Sequence, residues 1–414
     1  MAKKLVVTKF RHTASSDIDN HLRRYLIGQE RPIQEITRSL KRAEAGFQNP
    51  NRPLAVLAFF GPTGVGKTYT AELLADKFIK FVWRCPQPKE CGGFEISDAD
   101  WRKLPSSGEY TSPICLPHMK KKKTRVGLLK YQLPKMWKIN CGQLSDMAGF
   151  NVNTLLGAPP GYLGYDKAPF FTGGKAPKVV LFDEIEKVIL SKYSWGENSG
   201  VSDILLNILD TGRTVNNAGD EVDFTQSIII LTGNLGAQEI QQEFEKAPFG
   251  FISEGKIRRK ISQISDQEIE ALNKKIYQIV KKKAEKEFAP EFVNRLDRLV
   301  VFRFLTQKHY REILNRELEK IQLRITRSPT PFRMELAPNV RKLLVDEAFS
   351  DRHQGARPLN RVLDKRLTTP LADLAIQRAI PKGALVKVKV EKGELTFYQE
   401  TEKTIKAATQ EGAR

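Results

Sequence analysis

The stretch "GPTGVGKT", Gly61 to Thr68, closes a glycine-spaced loop with a lysine and a hydroxyl and matches G-x-x-x-x-G-K-[ST]. Those residue types at that spacing grip phosphate. The glycines let the loop over Pro62, Thr63, Gly64, Val65 and Gly66 curl so that the N–H groups of the last four surround a β-phosphate, and the following helix turns its positive end there. Lys67 is placed to reach the β- and γ-phosphates, and the Thr68 hydroxyl to ligate Mg²⁺. Average composition produces the pattern by chance about once in a hundred chains of this length. A second group lies in "KVVLFDEIEK", an apolar strand ending in Asp183 and Glu184. A carboxylate at a strand end can hold Mg²⁺ through water, which suits Asp183, and Glu184 can polarise the attacking water as general base. Taken alone, such a pair reads as surface polarity; beside a phosphate loop it reads as the other half of an ATPase site. A third strand, "SIIILTGNLGA", ends near Asn234, whose amide suits either the attacking water and the γ-phosphate or a simple turn.

The elements that must carry these residues follow from the same pattern. "LAVLAFF" is strand-sized and apolar, and an amphipathic helix follows the loop, so the fold class is α/β: a parallel sheet flanked by helices with the nucleotide at the carboxyl ends of its strands. "RPIQEITRSL" places Ile33, Ile36 and Leu40 on one helix face. The expected division is an N-terminal extension over 1–15 and a large domain over 16–302 interrupted by an insertion at about 81–136. A mainly helical small domain follows over 303–400, ending in alternating strands around Lys392 and Gly393, then a polar tail over 401–414 expected to be disordered.

Composition narrows the class. With 40% hydrophobic and 28% charged residues, the chain reads as an ordinary globular protein. No apolar run approaches the ~20 residues that span a bilayer, and the N-terminal apolar core is too short for a secretory signal, so a cytoplasmic location is expected, with no membrane partner. Four cysteines suit a reducing compartment. The net charge of +20 is partly local: residues 80–135 carry twelve Lys/Arg against five Asp/Glu. Within them, "KKKKTR" reads as a solvated face, or as a contact for nucleic acid or an acidic protein. Cys85, Cys91, Cys115 and His118 in this insertion are candidate zinc ligands, although the first spacing is wider than the usual knuckle; unligated thiols are the alternative.

The ordered set "IGQE", "NPNRPLAVLAFFGPTGVGKT", "GAPPGYLGY", "LFDEIEK", "DILLNILDTGRTV", "ILTGNLGA", "PEFVNRLDRLVVF" and "GARPLNRVL" resembles the Clp-type AAA+ unfoldases, particularly the second ATPase module of ClpB, ClpC and ClpA. The resemblance runs from Tyr25 to Val390 and covers a single module, where those proteins carry two. It implies that Ile27 packs on adenine, that Asn234 senses the γ-phosphate, that Arg295 is a finger reaching the neighbouring subunit's ATP, and that Arg357 reads the nucleotide from the small domain. It implies ATP and Mg²⁺ as cofactors, a homo-hexameric ring whose assembly ATP promotes, and an unfolded or tagged polypeptide as substrate. In these proteins "GYVGY" projects into the ring's channel, so Tyr162 would be the paddle that grips substrate; Tyr165 better fits static packing. An aromatic ring grips with little regard to sequence.

The chain departs from that pattern in several places. "DKAPFFTGGKAPK" stands where a helix normally backs the paddle loop, "LSKYSWGENSG" is a further insert, and Ala289 stands where relatives often carry a basic residue, leaving Arg295 as the finger. The lead-in before "IGQE" is about 26 residues, too short for an adaptor domain, so substrate selection is expected from the ring, the insertion or a partner. Phe249-Gly250-Phe251 resembles the tripeptide that docks peptidase-coupled relatives on a ClpP-like ring, with a buried phenylalanine pair as the alternative. Three readings result: an unfoldase with or without a peptidase, a remodeller that releases substrate intact, and a nucleic-acid-associated motor or loader using the basic insertion. The paddle loop and the lack of a recognisable DNA-reading module favour polypeptide.

Overall fold

A computed structural model describes the 414-residue chain except for 1–13, 79–80, 86, 88, 90–94, 98–128, 133–135, 145–149, 159–160, 163–166, 190–198, 237–238, 240–265, 352–353 and 401–414. Two amphipathic helices lead, α1 (Ala14–Tyr25) and α2 (Glu30–Glu44). Ile33, Ile36 and Leu40 are buried on α2, as their spacing requires. "AVLAFF" forms β1 (Ala55–Phe60), buried at all six positions, and α3 (Lys67–Lys77) starts directly after the glycine loop. Then β2 (Phe81–Arg84), β3 (Glu95–Ser97) and β4 (Leu129–Gln132) pair antiparallel in the order β3-β2-β4. The insertion thus carries a small sheet of its own, built from "FVWR", "EIS" and "LKYQ".

The chain returns through β5 (Trp137–Asn140), α4 (Phe150–Leu156), β6 (Gly174–Lys175), β7 (Val179–Asp183), α5 (Glu186–Ile189) and α6 (Ser199–Thr211). A hairpin of β8 (Arg213–Val215) and β9 (Glu221–Asp223) precedes β10 (Ile228–Thr232). Then come α7 (Asp266–Glu287), α8 (Pro290–Arg295) and β11 (Arg298–Val301). The central sheet is wholly parallel in the order β11-β1-β10-β7-β5. Its three inner strands, β1, β10 and β7, are near-continuous apolar runs because helices cover both faces. Successive residues point to opposite faces: Leu57, Phe59 and Leu181 pack under α1, α2 and α3, whereas Val56, Phe60 and Phe182 pack with Ile208, Val280 and Phe288 of the other layer.

A separate apolar core belongs to the C-terminal region. It comprises α9 (Gln307–Thr326), β12 (Arg333–Leu336), α10 (Pro338–Phe349), α11 (Arg357–Leu363), α12 (Thr369–Ile376), β13 (Leu385–Glu391) and β14 (Glu394–Glu400). The two closing strands meet at Lys392 and Gly393 as the sequence indicates, and β12 adds a third strand parallel to β13. Two glycines dock this region on the phosphate loop. An added Cβ at Gly64 would lie 2.1 Å from Gln354 O, and one at Gly355 would lie 2.3 Å from Gly64 C. The Ala356 N–H donates to Gly64 O at 2.9 Å across the same contact.

Candidate active site

Sheet order decides which residues meet. β1 lies beside β10 and β10 beside β7, so the glycine loop, Asn234 and Asp183 all emerge at neighbouring carboxyl ends. They surround a cavity of about 280 Å³ lined by Thr63, Gly64, Gly66, Lys67, Thr68, Asp183, Glu184, Asn234 and Arg357, among others. Lys67 is buried; its Nζ donates to Gly61 O and Pro62 O at 2.7 Å and to Asn234 Oδ1 at 3.0 Å. Burial pushes its pKa down from 10.5 to about 8, against the opposing pull of Glu186 and Asp183.

The Thr68 hydroxyl stands 3.5 Å from both Asp183 carboxylate oxygens, and Thr232 Oγ1 donates to Asp183 Oδ1. An all-oxygen donor set of hydroxyl and carboxylate fits Mg²⁺. Glu184 lines the cavity with φ +59°, in the left-handed region that a non-glycine residue enters only under constraint from its surroundings.

A larger cavity of about 650 Å³ adjoins the first, sharing Gly64, Gly66, Tyr69 and Arg357 with it. Ile27, itself buried, and Val65 line this end, together with Tyr25, Leu305, Ile313 and Arg316. Apolar walls beside a phosphate cradle suit a nucleobase. Pro62 is buried in the loop and directs its carbonyl to Lys67.

Arg295 does not line either cavity. It makes a bidentate pair with Asp210, Nε to Oδ1 and Nη2 to Oδ2 both at 2.6 Å, and this bond holds its pKa above the ordinary guanidinium value. Tyr162 is 68% exposed.

Of the candidate zinc ligands, Cys85 is buried, and its Sγ accepts from the Gln87 N–H at 3.4 Å. Cys91, Cys115 and His118 lie outside the described residues, and no metal-holding cluster occurs among those described. Phe249, Gly250, Phe251, Tyr165 and the lysine run also lie outside the described residues.

Sequence reasoning missed several residues here. Gln29 is fully buried and holds Arg303 by both backbone groups: its Nε2 donates to Arg303 O and its Oε1 accepts from Arg303 N, each at 2.9 Å. It therefore ties the lead-in to the start of the C-terminal region. Glu186 accepts from the Asn234 N–H at 3.1 Å, while its other oxygen is buried without a hydrogen-bond partner among the described residues. Arg316 stands over the Tyr25 ring at 5.9 Å, with Nη1 buried and without a hydrogen-bond partner among the described residues. Only Gln29 and Glu186 left a trace in sequence, as polar residues inside otherwise recognisable motifs.

A parallel sheet with a phosphate loop, a strand-end Asp-Glu pair and a polar strand tip around one cavity defines the class of P-loop nucleotide hydrolases. Within that class the chain belongs to the AAA domain family (Cdc48 subfamily), which matches residues 52–299; residues 305–388 match the C-terminal, D2-small domain of ClpB protein. The chain is thus a Clp-type ATPase module.

It is 28% identical over 383 residues to the chaperone protein ClpB of Rhizobium meliloti, covering 92% of this chain and 34% of that protein. It is 28% identical over 375 residues to an ATP-dependent Clp protease ATP-binding subunit ClpA homolog of Pyropia yezoensis, covering 90% and 36%. To the probable chaperone protein ClpB 1 of Chlorobaculum tepidum it is 29% identical over 377 residues, covering 90% and 67%. The chain spans about a third of the length of the first two. Among the described residues no helix is long and apolar enough to cross a membrane.

Proposed function

We propose that this chain is an ATP-driven motor that threads polypeptide through the channel of a homo-hexameric ring, with Tyr162 gripping the substrate. The observation that carries this reading is Tyr162 itself. A tyrosine normally buries most of its ring, yet this one is 68% exposed and follows Gly161, at φ +87°. The names of the relatives, chaperones on one side and protease ATP-binding subunits on the other, support a polypeptide substrate and leave delivery to a ClpP-like peptidase as the finer form of the proposal.

Hydrolysis should be compared with no addition, with an unfolded protein and with single-stranded DNA, in wild type and in Tyr162→Ala. Stimulation by unfolded protein that disappears in the variant is the expected result. Stimulation by DNA alone, indifferent to Tyr162, would overturn the reading in favour of a nucleic-acid motor.

A further inference from the structure

The β8–β9 hairpin turns through "NNAGD", Asn216 to Asp220. Asn216 closes the turn on itself: its Oδ1 accepts from the N–H groups of Ala218 at 3.0 Å and Asp220 at 2.8 Å. With the turn locked locally, Asn217 is free to hold something else. Its backbone N–H donates to Leu156 O at 2.8 Å and its Nδ2 donates to Gly157 O. Asn216 Nδ2 meanwhile donates to Phe171 O at 3.2 Å.

Two adjacent asparagines therefore grasp both ends of the segment that carries Tyr162, where it leaves α4 and where it returns. The ends are also bonded to each other, Phe171 N to Leu155 O at 2.9 Å and Phe170 N to Thr154 O at 3.2 Å. Phe171 is fully buried between Trp137 of β5 and Phe224, with ring centroids 5.5 and 5.3 Å away. The far end of β5, Asn140, lies opposite Asp183 in the sheet. A continuous path of packed residues thus joins the root of the Tyr162 segment to the strand that carries the Mg²⁺ ligand.

We propose that Asn217 is a positioning residue for Tyr162, pinning the root of its segment to the β8–β9 hairpin so that the ring is carried on a rigid mount. Gly157, at φ +89°, can otherwise pivot, and a pivoting root would dissipate a stroke generated at the sheet. The inference rests on the reading of Tyr162 as the substrate-gripping residue.

The test uses the full chain, with reduced, carboxymethylated lactalbumin as a permanently unfolded probe. Asn217→Asp keeps the side-chain shape and removes the donor to Gly157 O. Its basal hydrolysis, ATP KM and melting temperature should match wild type, while the maximal probe-stimulated rate falls about threefold to tenfold, the range for losing one hydrogen bond. Asn217→Gln, which retains the donor, should recover most of that loss. If Asn217→Asp lowers the melting temperature, Asn217→Ala, which keeps the backbone bond to Leu156 O, supplies the same comparison. Full stimulation in the variants lacking the donor while Tyr162→Ala abolishes it would overturn the mount and leave the gripping role intact. Full stimulation in Tyr162→Ala would overturn the gripping role itself.

Discussion

Glu184 sits in a backbone conformation that costs about 1–3 kcal/mol for an ordinary residue. It is held there with its side chain at the phosphate cavity, its Oε2 so near the Gly142 backbone that a Cβ added there would lie 2.9 Å away. A strained residue placed at a reacting centre suits a fixed general base. Glu184→Gln should leave ATP affinity intact and lower turnover about a hundredfold or more. Nucleotide-binding titrations beside steady-state hydrolysis would check this, and an unchanged rate would remove the base assignment.

Lys67 makes a pH prediction. Its pKa lies below the ordinary value, so below about pH 8 it carries its charge, and between pH 8 and 10.5 the free protein has progressively lost it. ATP affinity should therefore fall as pH rises above 8, by up to about tenfold per unit. Folding has the opposite sign: the cost of burying the ammonium is complete below pH 8 and is relieved toward 10.5. Glu186 is the largest charge favouring the protonated form, so Glu186→Gln should move the midpoint of the affinity profile to lower pH.

At the scale of elements, the important contact is backbone on backbone. The phosphate loop and the turn before α11 touch through Gly64 and Gly355, with Ala356 bonded to Gly64 O and the Tyr310 hydroxyl donating to Gly355 O. Arg357 is the first residue of α11 and lines the smaller cavity, so this contact fixes the helix start that carries it beside the glycine loop. Gly355→Ala introduces a methyl where no space exists, at a φ of +63° that already disfavours it. Overpacking of this kind costs about 1–3 kcal/mol of stability, and displacing the turn should weaken ATP binding, read as a raised Kd. Circular dichroism should show the secondary structure retained. Wild-type affinity in the variant would mean that the two regions do not close over nucleotide through this turn.

At the scale of the whole molecule, the placement of Arg295 matters. It faces neither cavity of its own chain and is parked on Asp210. Partly exposed pairs of this sort contribute only about 0–1 kcal/mol, so in the proposed ring the triphosphate of an adjoining subunit could displace Asp210. In the proposed ring, Arg295→Ala should bind ATP normally and hydrolyse it poorly. Mixing Arg295→Ala with Glu184→Gln, each strongly impaired alone, supplies the sharper measurement. Random rings place an intact base against an intact finger at about a quarter of interfaces, so activity near that fraction of wild type should return. No recovery on mixing would exclude action across subunits.

The sequence by itself determined the features whose interactions are local. The phosphate loop is eight consecutive residues acting largely through their own backbone. The buried strands announce themselves by apolar runs, the α2 face by its spacing, and the closing hairpin by Lys392 and Gly393. Tertiary structure alone decided the residues whose partners are remote. Gln29 meets Arg303 across 274 positions, Arg295 meets Asp210 across 85, Asn217 meets Gly157 across 60, and Asn234 meets Glu186 across 48. The physical reason is that each of these bonds depends on which elements become neighbours. The order β11-β1-β10-β7-β5 and the seating of the C-terminal region on Gly64 are settled by burial of whole faces, and no short stretch of chain encodes that.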